Sequence, residues 1–244
     1  MIVAGFDVAP THTAAVVLRQ ADGPGPLNPK IVGHWYITTK KGVYDRAPDR
    51  AWLRTAASIK KITPGTKRMV RLDDLSSLTG TVLKAASMAG EPLTLAAVED
   101  YVYNGRTSGS HDAGGAGDRV RHRLWCAGVP VREIPPGEIK RFVLHNWAAS
   151  KDQVPPGTRK RWPALFMLAL GYKVGADVDT FGDVIDAGWL ARLGVIEIML
   201  RRGYIGLAEL EHDQERITYQ GTTKNRTRCI LDTPFTEKPL AVAR

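Results

Sequence analysis

The first seven residues of the chain, MIVAGFD, restrict the possible folds more than any other stretch of the sequence. Ile2, Val3 and Phe6 make this run apolar on both faces, which is typical of a central strand covered by helices on both sides. Asp7 closes the run, and a carboxylate at the end of a buried strand is costly unless it is paired or binds a metal ion. Taken alone, the pattern also fits an aspartate that opens a turn.

The composition indicates a basic protein with a substantial core. A length of 244 residues with 43% hydrophobic content suits one large domain, or one domain with a sizeable insertion. The formal net charge of +9 favours a polyanionic partner such as nucleic acid, although many soluble proteins are basic without one. The two cysteines, Cys126 and Cys229, form no Cys/His cluster, so we expect no zinc and a reducing compartment.

The N-terminal run predicts a strand and not a targeting segment. It lacks a basic n-region and continues directly into the charged Asp7, unlike a signal peptide. No apolar run approaches the ~20 residues that a membrane-spanning helix needs. We therefore expect no membrane partner and a cytoplasmic location, in a bacterium or, if a phage encodes the chain, in the cytoplasm of its host.

The next segments continue the strand pattern. Residues 11–19 and 31–38 are strand-like and are joined by turn residues, which predicts an antiparallel meander of three strands. We assign His34, Trp35 and Tyr36 of the third strand to cross-strand packing. Residues 39–71 read as an insertion with several basic side chains, which could contact a phosphate backbone or simply form a solvated face.

The rest of the chain alternates helices with apolar strands. We predict an amphipathic helix over 72–89, a strand over 93–98, a helix over 115–127, a strand over 129–134 and a long helix over 179–199. The fold class is therefore α/β, with a mixed five-stranded sheet of three antiparallel strands and then parallel strands, flanked by helices. This is the layout of a ribonuclease-H-like domain. We place that domain at residues 1–203, with an insertion at about 39–71, and leave residues 204–244 as a C-terminal extension without an assigned fold.

Three separated segments carry acids that this layout can bring together. Asp7 ends the first strand, and Glu99 follows the apolar strand that lies beside it in such a sheet. Asp183 and Asp186 are three positions apart in an otherwise apolar helix and therefore share a face. Each acid alone has an ordinary interpretation, as part of a solvated face or an ion pair. Their order along the chain favours a shared site.

Four clustered carboxylates would repel one another strongly without bound cations. All-oxygen ligation favours Mg²⁺, with Mn²⁺ as a substitute. Two such ions in one active site can activate water and stabilise the leaving oxygen in phosphodiester cleavage. The pattern therefore predicts a magnesium-dependent nuclease site with two ions.

The order of these motifs resembles that of the RuvC-type Holliday-junction resolvases, in the ribonuclease-H-like nuclease superfamily. The similar blocks span roughly residues 1 to 195 and are VAGFDVAPTHTAAVVL, LAAVEDYVYNGRTSGS, PPGEIKRFVLHNWAASKDQV and, in the last helix, DVIDA. The resemblance implies metal-binding, catalytic roles for four acids, Asp7, Glu99, Asp183 and Asp186. It further implies an endonuclease of DNA recombination and repair that cuts a four-way junction by paired symmetric nicks.

The resemblance also implies partners and binding residues. A junction has two equivalent strands to cut, so a symmetric homodimer is the expected assembly. Lys140 and Lys151 match basic positions of the family and would contact DNA phosphates. The full set of nucleic-acid-binding candidates is Lys140, Arg141, Lys151, Arg159, Lys160, Arg161, Tyr101 and Tyr103. The two tyrosines could stack on bases or equally pack in the core.

Three other functions remain open at this stage. A related nuclease could act on forked DNA or on an RNA–DNA hybrid, because a fold and a metal site do not choose the substrate. The chain could also be a catalytically inert junction-binding protein. An actin-like ATPase is the third alternative, but the turn DVAPTHT after the first strand lacks the glycine that lets a phosphate approach.

Overall fold

The computed structural model of the chain describes residues 1–38, 59–61, 68–100, 109–136, 138–139, 142, 178–210, 219, 230–231 and 234–235. Its strands are β1 (Ile2–Ala9), β2 (His12–Arg19), β3 (Lys30–Thr38), β4 (Ile59–Lys61), β5 (Leu93–Glu99) and β6 (Val131–Ile134). Its helices are α1 (Arg68–Ser76), α2 (Leu78–Met88), α3 (Gly109–Cys126), α4 (Val178–Arg201) and a short 3₁₀ helix, Leu207–Glu209.

The strands form one mixed sheet in the order β4-β3-β2-β1-β5-β6. The pairs β1–β2 and β2–β3 are antiparallel, whereas β1–β5 and β5–β6 are parallel. This arrangement confirms the predicted class, with the first strand in the interior of the sheet.

The predicted number of strands was wrong by one, because β4 adds a sixth at the edge, parallel to β3. This strand is only three residues long and lies inside the predicted insertion. It pairs through its backbone with an open sheet edge, so it needs no alternating apolar pattern that the sequence would reveal.

Helices cover both faces of the sheet. Val3 and Leu95 belong to the core beneath α4, whereas Ile2 and Phe6 belong to the core beneath α1, α2 and α3. This two-sided burial explains why β1 is apolar at successive positions. Among the described residues, no helix combines the length and hydrophobicity that crossing a bilayer requires.

Two predicted helices have different limits in the structure. The helix predicted over 72–89 is divided into α1 and α2 at Ser77. The hydroxyl groups of Ser76 and Ser77 donate to the carbonyls of Asp73 and Asp74, at 2.9 and 2.6 Å, and so compete with the regular helical bonds. Helix α3 begins at Gly109 and not at residue 115.

Helix α4 approaches β1 more closely than a side chain would allow. A Cβ atom at Gly5 would overlap the backbone of Ala187 and Ala191 in α4 and would lie 2.9 Å from the Cβ of Leu190. A Cβ atom at Gly194 would lie 2.8 Å from Val3. The two glycines therefore allow the helix that carries Asp183 and Asp186 to lie directly on the strand that carries Asp7.

A buried ionic group fixes the other end of α4. The Nε atom of Arg132, on β6, donates to Glu197 Oε2 of α4 at 2.9 Å, and both side chains are at most 5% exposed. Arg201 donates to Glu197 at 2.8 Å and to the carbonyl of Ile230 at 2.8 Å. Tyr219 and Ile230 are buried in the core beneath α4. These described residues of the predicted extension therefore pack against the main sheet.

Candidate metal centre

Strand alternation places Asp7 and Glu99 on the face of the sheet that α4 covers. Along β1, Val3 faces α4, so Asp7 lies on the same side because side chains alternate with a period of two. Leu95 and Ala97 of β5 face α4 as well, which places Glu99 on that side. The parallel register pairs Phe6 with Val98, so Asp7 and Glu99 are the next residues on neighbouring strands. The prediction that Asp7 closes the first strand was wrong, because β1 continues to Ala9 through its pairing with β2.

The electrostatics of Asp7 show that the four sequence-predicted acids converge. Its side chain is buried, with only 6% of the residue exposed. Burial is the main cause that raises the pKa of Asp7 well above its ordinary value. The charge of Glu99 and a hydrogen bond with its carboxyl group raise the pKa further, and so do the charges of Asp183 and Asp186. One edge of the sheet therefore gathers the acids of three elements.

Tyr36 and His12 contact Asp183, although the sequence did not place them in the site. The hydroxyl of Tyr36 donates to Asp183 Oδ2 at 2.8 Å, and His12 Nε2 lies 3.3 Å from Asp183 Oδ1. Burial and the charge of Asp183 raise the pKa of Tyr36, so its hydroxyl stays protonated and remains a donor. Asp183 thus has a fixed orientation above β1.

The positions of Tyr36 and His12 follow from the register of the sheet. Asp7 is paired with Ala14, and Ala14 with Tyr36, so these residues form one row across three strands. The strand pattern predicts cross-strand packing for Tyr36, and the structure adds its hydrogen bond to Asp183. His12 begins β2 on the same face as Ala14. Sequence alternation within each strand predicts the face, but only the register across strands shows that these side chains meet.

Arg121 of α3 holds the end of β5 from the other side. It donates to the carbonyl of Glu99 at 3.2 Å and to the carboxylate of Asp100 at 3.3 Å. Its guanidinium also pairs with Glu133 of β6, at 2.8 Å. Arg121 therefore ties the carboxyl ends of two parallel strands together and engages Asp100 in an ion pair.

The donor set fits a divalent cation. Asp7, His12 and Asp183 each present one ligand atom, and these atoms all lie within 4.8 Å of one another. A buried carboxyl group that three neighbouring acids repel gains strongly from a nearby cation, because the cation reverses that repulsion. Carboxylate oxygens are the ligands that Mg²⁺ and Mn²⁺ prefer.

The predicted nucleic-acid-binding residues lie outside the part of the chain that the structure describes. They are Tyr101, Tyr103, Lys140, Arg141, Lys151, Arg159, Lys160 and Arg161. Their roles therefore stay predictions.

Comparisons with known proteins find similarity at the level of structure. No protein-family model and no curated protein matches the sequence. Thermus thermophilus RuvC in complex with Holliday junction substrate matches with a TM-score of 0.51 and 18% identity, over 83% of this chain and 96% of that chain. Another Thermus thermophilus RuvC structure has a TM-score of 0.47 and 20% identity, over 80% of this chain and 97% of that one. The yeast mitochondrial Holliday junction resolvase Ydc2 has a TM-score of 0.36 and 12% identity, over 82% and 83%.

The match to the RuvC–junction complex covers nearly the whole of that protein and agrees with the sheet topology described above. At 18% identity it establishes the architecture and not the reaction. The chain therefore has the ribonuclease-H-like fold of the RuvC-type Holliday-junction resolvases.

Proposed function

We propose that the chain is a divalent-metal-dependent endonuclease that resolves four-way DNA junctions by paired symmetric nicks. The observation that carries this proposal is the convergence of Asp7, Glu99, Asp183 and Asp186 at one edge of a RuvC-like sheet. The similar RuvC structure holds Holliday junction substrate, and the net charge of +9 suits a polyanionic ligand.

The proposed chemistry is hydrolysis of a phosphodiester bond. Water adds to phosphorus and the bond to the 3′ oxygen breaks, leaving a 5′-phosphate and a 3′-hydroxyl. Bound Mg²⁺ ions, two in each site and replaceable by Mn²⁺, would supply activation of water and stabilisation of the leaving oxygen. The four acids would hold these ions. Tyr36 would keep Asp183 turned toward them through its 2.8 Å hydrogen bond.

The predicted basic residues would hold the DNA by contacts with its phosphates. Ile139 and Phe142 are buried, and the ring of Phe142 meets Trp189 of α4 edge-on at 5.8 Å. Lys140 and Arg141 are the two residues between these anchors in the sequence. We assign them, with Lys151 and the run Arg159–Arg161, to phosphate contacts that make binding salt-dependent. Two sites in a homodimer would cut the two equivalent strands of a junction.

The substrate is tested with end-labelled nucleic acids of one core sequence, in Mg²⁺ and separately in Mn²⁺. The panel contains a four-way junction, a fork, a linear duplex and an RNA–DNA hybrid. We expect paired nicks at symmetric positions of the junction, with little cutting of the duplex. Preferred cutting of the fork or hybrid would reassign the substrate while keeping the metal site. Junction binding without cutting in either metal would favour an inert junction-binding protein.

A further inference from the structure

His12 lies within the acid cluster, but its side chain is an imidazole, whereas the predicted metal ligands are all carboxylates. It begins β2, and its side chain is only 13% exposed. Its Nε2 atom lies 3.3 Å from Asp183 Oδ1, and its ring stands 5.9 Å from the ring of Tyr36. Asp7 completes the group of ligand atoms that lie within 4.8 Å of one another. The site therefore presents nitrogen as well as oxygen to its centre.

The other ring nitrogen of His12 already has a neighbour that can orient it. Nδ1 lies 3.2 Å from the hydroxyl oxygen of Thr11. A hydroxyl can accept the Nδ1 proton, and in that tautomer the lone pair of Nε2 is available to a cation that lies between His12 and Asp183. Metal-binding histidines are commonly held in this way, by a hydrogen bond from the nitrogen that does not bind the metal.

The spacing suits an ion of the expected size. Ligand atoms on opposite sides of a cation bound at about 2.1 Å are about 4.2 Å apart. The ligand atoms of Asp7, His12 and Asp183 lie within 4.8 Å of one another, so they need to approach only slightly to reach that separation.

We propose that His12 is a nitrogen ligand of the divalent cation in this site, so that the chain selects Mn²⁺ over Mg²⁺ more strongly than carboxylates alone would. This inference rests on the proposed metal-dependent function. Imidazole binds transition metals well, whereas Mg²⁺ prefers carboxylate, carbonyl and water oxygens. Replacing an oxygen ligand by imidazole therefore shifts the preference of the site toward Mn²⁺.

The test is pulsed electron paramagnetic resonance of the full chain loaded with Mn²⁺, without DNA. A coordinated imidazole produces ¹⁴N modulation of the Mn²⁺ signal, and ¹⁵N-histidine labelling must change it. We expect this modulation in the unmodified protein and its loss in His12→Gln. His122→Gln is the matched control, because His122 is exposed on α3 next to Trp125 and should leave the signal intact.

Metal titration gives an independent readout. His12→Gln should weaken Mn²⁺ binding by about tenfold and Mg²⁺ binding by about threefold or less, which lowers the selectivity between the two ions. Bound Mn²⁺ without nitrogen modulation in the unmodified protein would overturn the inference. Modulation that survives in His12→Gln would overturn it as well.

The two proposals fail in different ways. Nitrogen modulation from His12 in a protein that cuts none of the nucleic acids tested would support the metal ligand and refute the nuclease. Junction cutting by a protein whose Mn²⁺ shows no nitrogen neighbour would refute only the role of His12. A protein that binds neither Mn²⁺ nor Mg²⁺ would refute both.

Discussion

Asp7 and Glu99 lie side by side on neighbouring parallel strands, one residue beyond the paired Phe6 and Val98, and the charge of Glu99 adds to the burial that raises the pKa of Asp7. Burial and the neighbouring negative charges both favour the neutral form of the Asp7 carboxyl group. Without a bound cation, the clustered acids therefore destabilise the folded state. This relationship makes the stability of the metal-free protein a test of the site.

The first prediction concerns the pH dependence of that stability. Because the pKa of Asp7 is raised above its ordinary 3.8, the folded state holds more protons than the unfolded state between 3.8 and the raised value. The free energy of unfolding should therefore fall as pH rises through this window. Asp7→Asn should remove that fall and stabilise the metal-free protein at neutral pH by about 1 kcal/mol or more.

Thermal unfolding in EDTA over a series of pH values measures this effect. Asp22→Asn is a suitable control, because Asp22 is an exposed acid that pairs with Arg202 far from the cluster in the fold. An Asp7→Asn protein that is less stable than the unmodified protein at every pH would contradict the predicted electrostatic cost.

Removal of the Tyr36 hydroxyl should affect the site more than the fold. Tyr36→Phe deletes the donor to Asp183, with an expected loss of about 1 kcal/mol in stability and about tenfold in metal affinity. Tyr219→Phe deletes a comparable buried bond, to the carbonyl of Leu193 at 2.9 Å. Both variants should lose similar stability in denaturant unfolding, but only Tyr36→Phe should bind Mn²⁺ more weakly. Equal metal affinities in the two variants would rule out the orienting role of Tyr36.

Gly5→Ala tests whether the close approach of α4 positions the acids. The new methyl group would overlap the backbone of Ala187 and Ala191, so α4 must move away from β1. We expect a loss of about 1–3 kcal/mol in stability together with weakened metal binding. Gly80→Ala, in α2, meets no atom within 4 Å and should instead stabilise the protein slightly. Unchanged metal affinity in Gly5→Ala would show that metal binding does not depend on the close approach of α4 to β1.

Arg132→Met should be among the more destabilising single changes away from the site. It leaves Glu197, 1% exposed, with Arg201 as its remaining charged neighbour among the contacts described above, and such a loss typically costs about 3 kcal/mol. Arg202→Met removes a more exposed pair and should change stability much less. Denaturant unfolding of the two variants measures the difference. A cost for Arg132→Met no larger than that for Arg202→Met would contradict the structural role of the buried pair.

The sequence predicts the acids of this site better than it predicts their neighbours. Asp7 and Glu99 are recognisable because each is an acid that directly follows an apolar run. Asp183 and Asp186 are recognisable because helical spacing puts them on one face. His12 and Tyr36 lie in ordinary strand patterns, and they join the site only through pairing across three strands. That register depends on turns and packing that the local pattern does not encode.

The differences between the predicted and the observed fold also arise from contacts that a local pattern does not encode. The five longer strands carry apolar patterns and were predicted, whereas β4 depends on backbone pairing at an edge. The division between α1 and α2 depends on serine hydroxyls that donate to nearby backbone carbonyls. An amphipathic pattern gives no sign of these hydrogen bonds.

Single-turnover cleavage of a labelled four-way junction by the unmodified protein and by Asp7→Asn is the most direct test of the central claim. Junction binding is measured on the same samples, and Asp22→Asn serves as the surface control. We expect Asp7→Asn to bind the junction like the unmodified protein and to cut it below detection in both Mg²⁺ and Mn²⁺. Cutting by Asp7→Asn at the rate of the unmodified protein would contradict the assignment of the acid cluster as the nuclease centre.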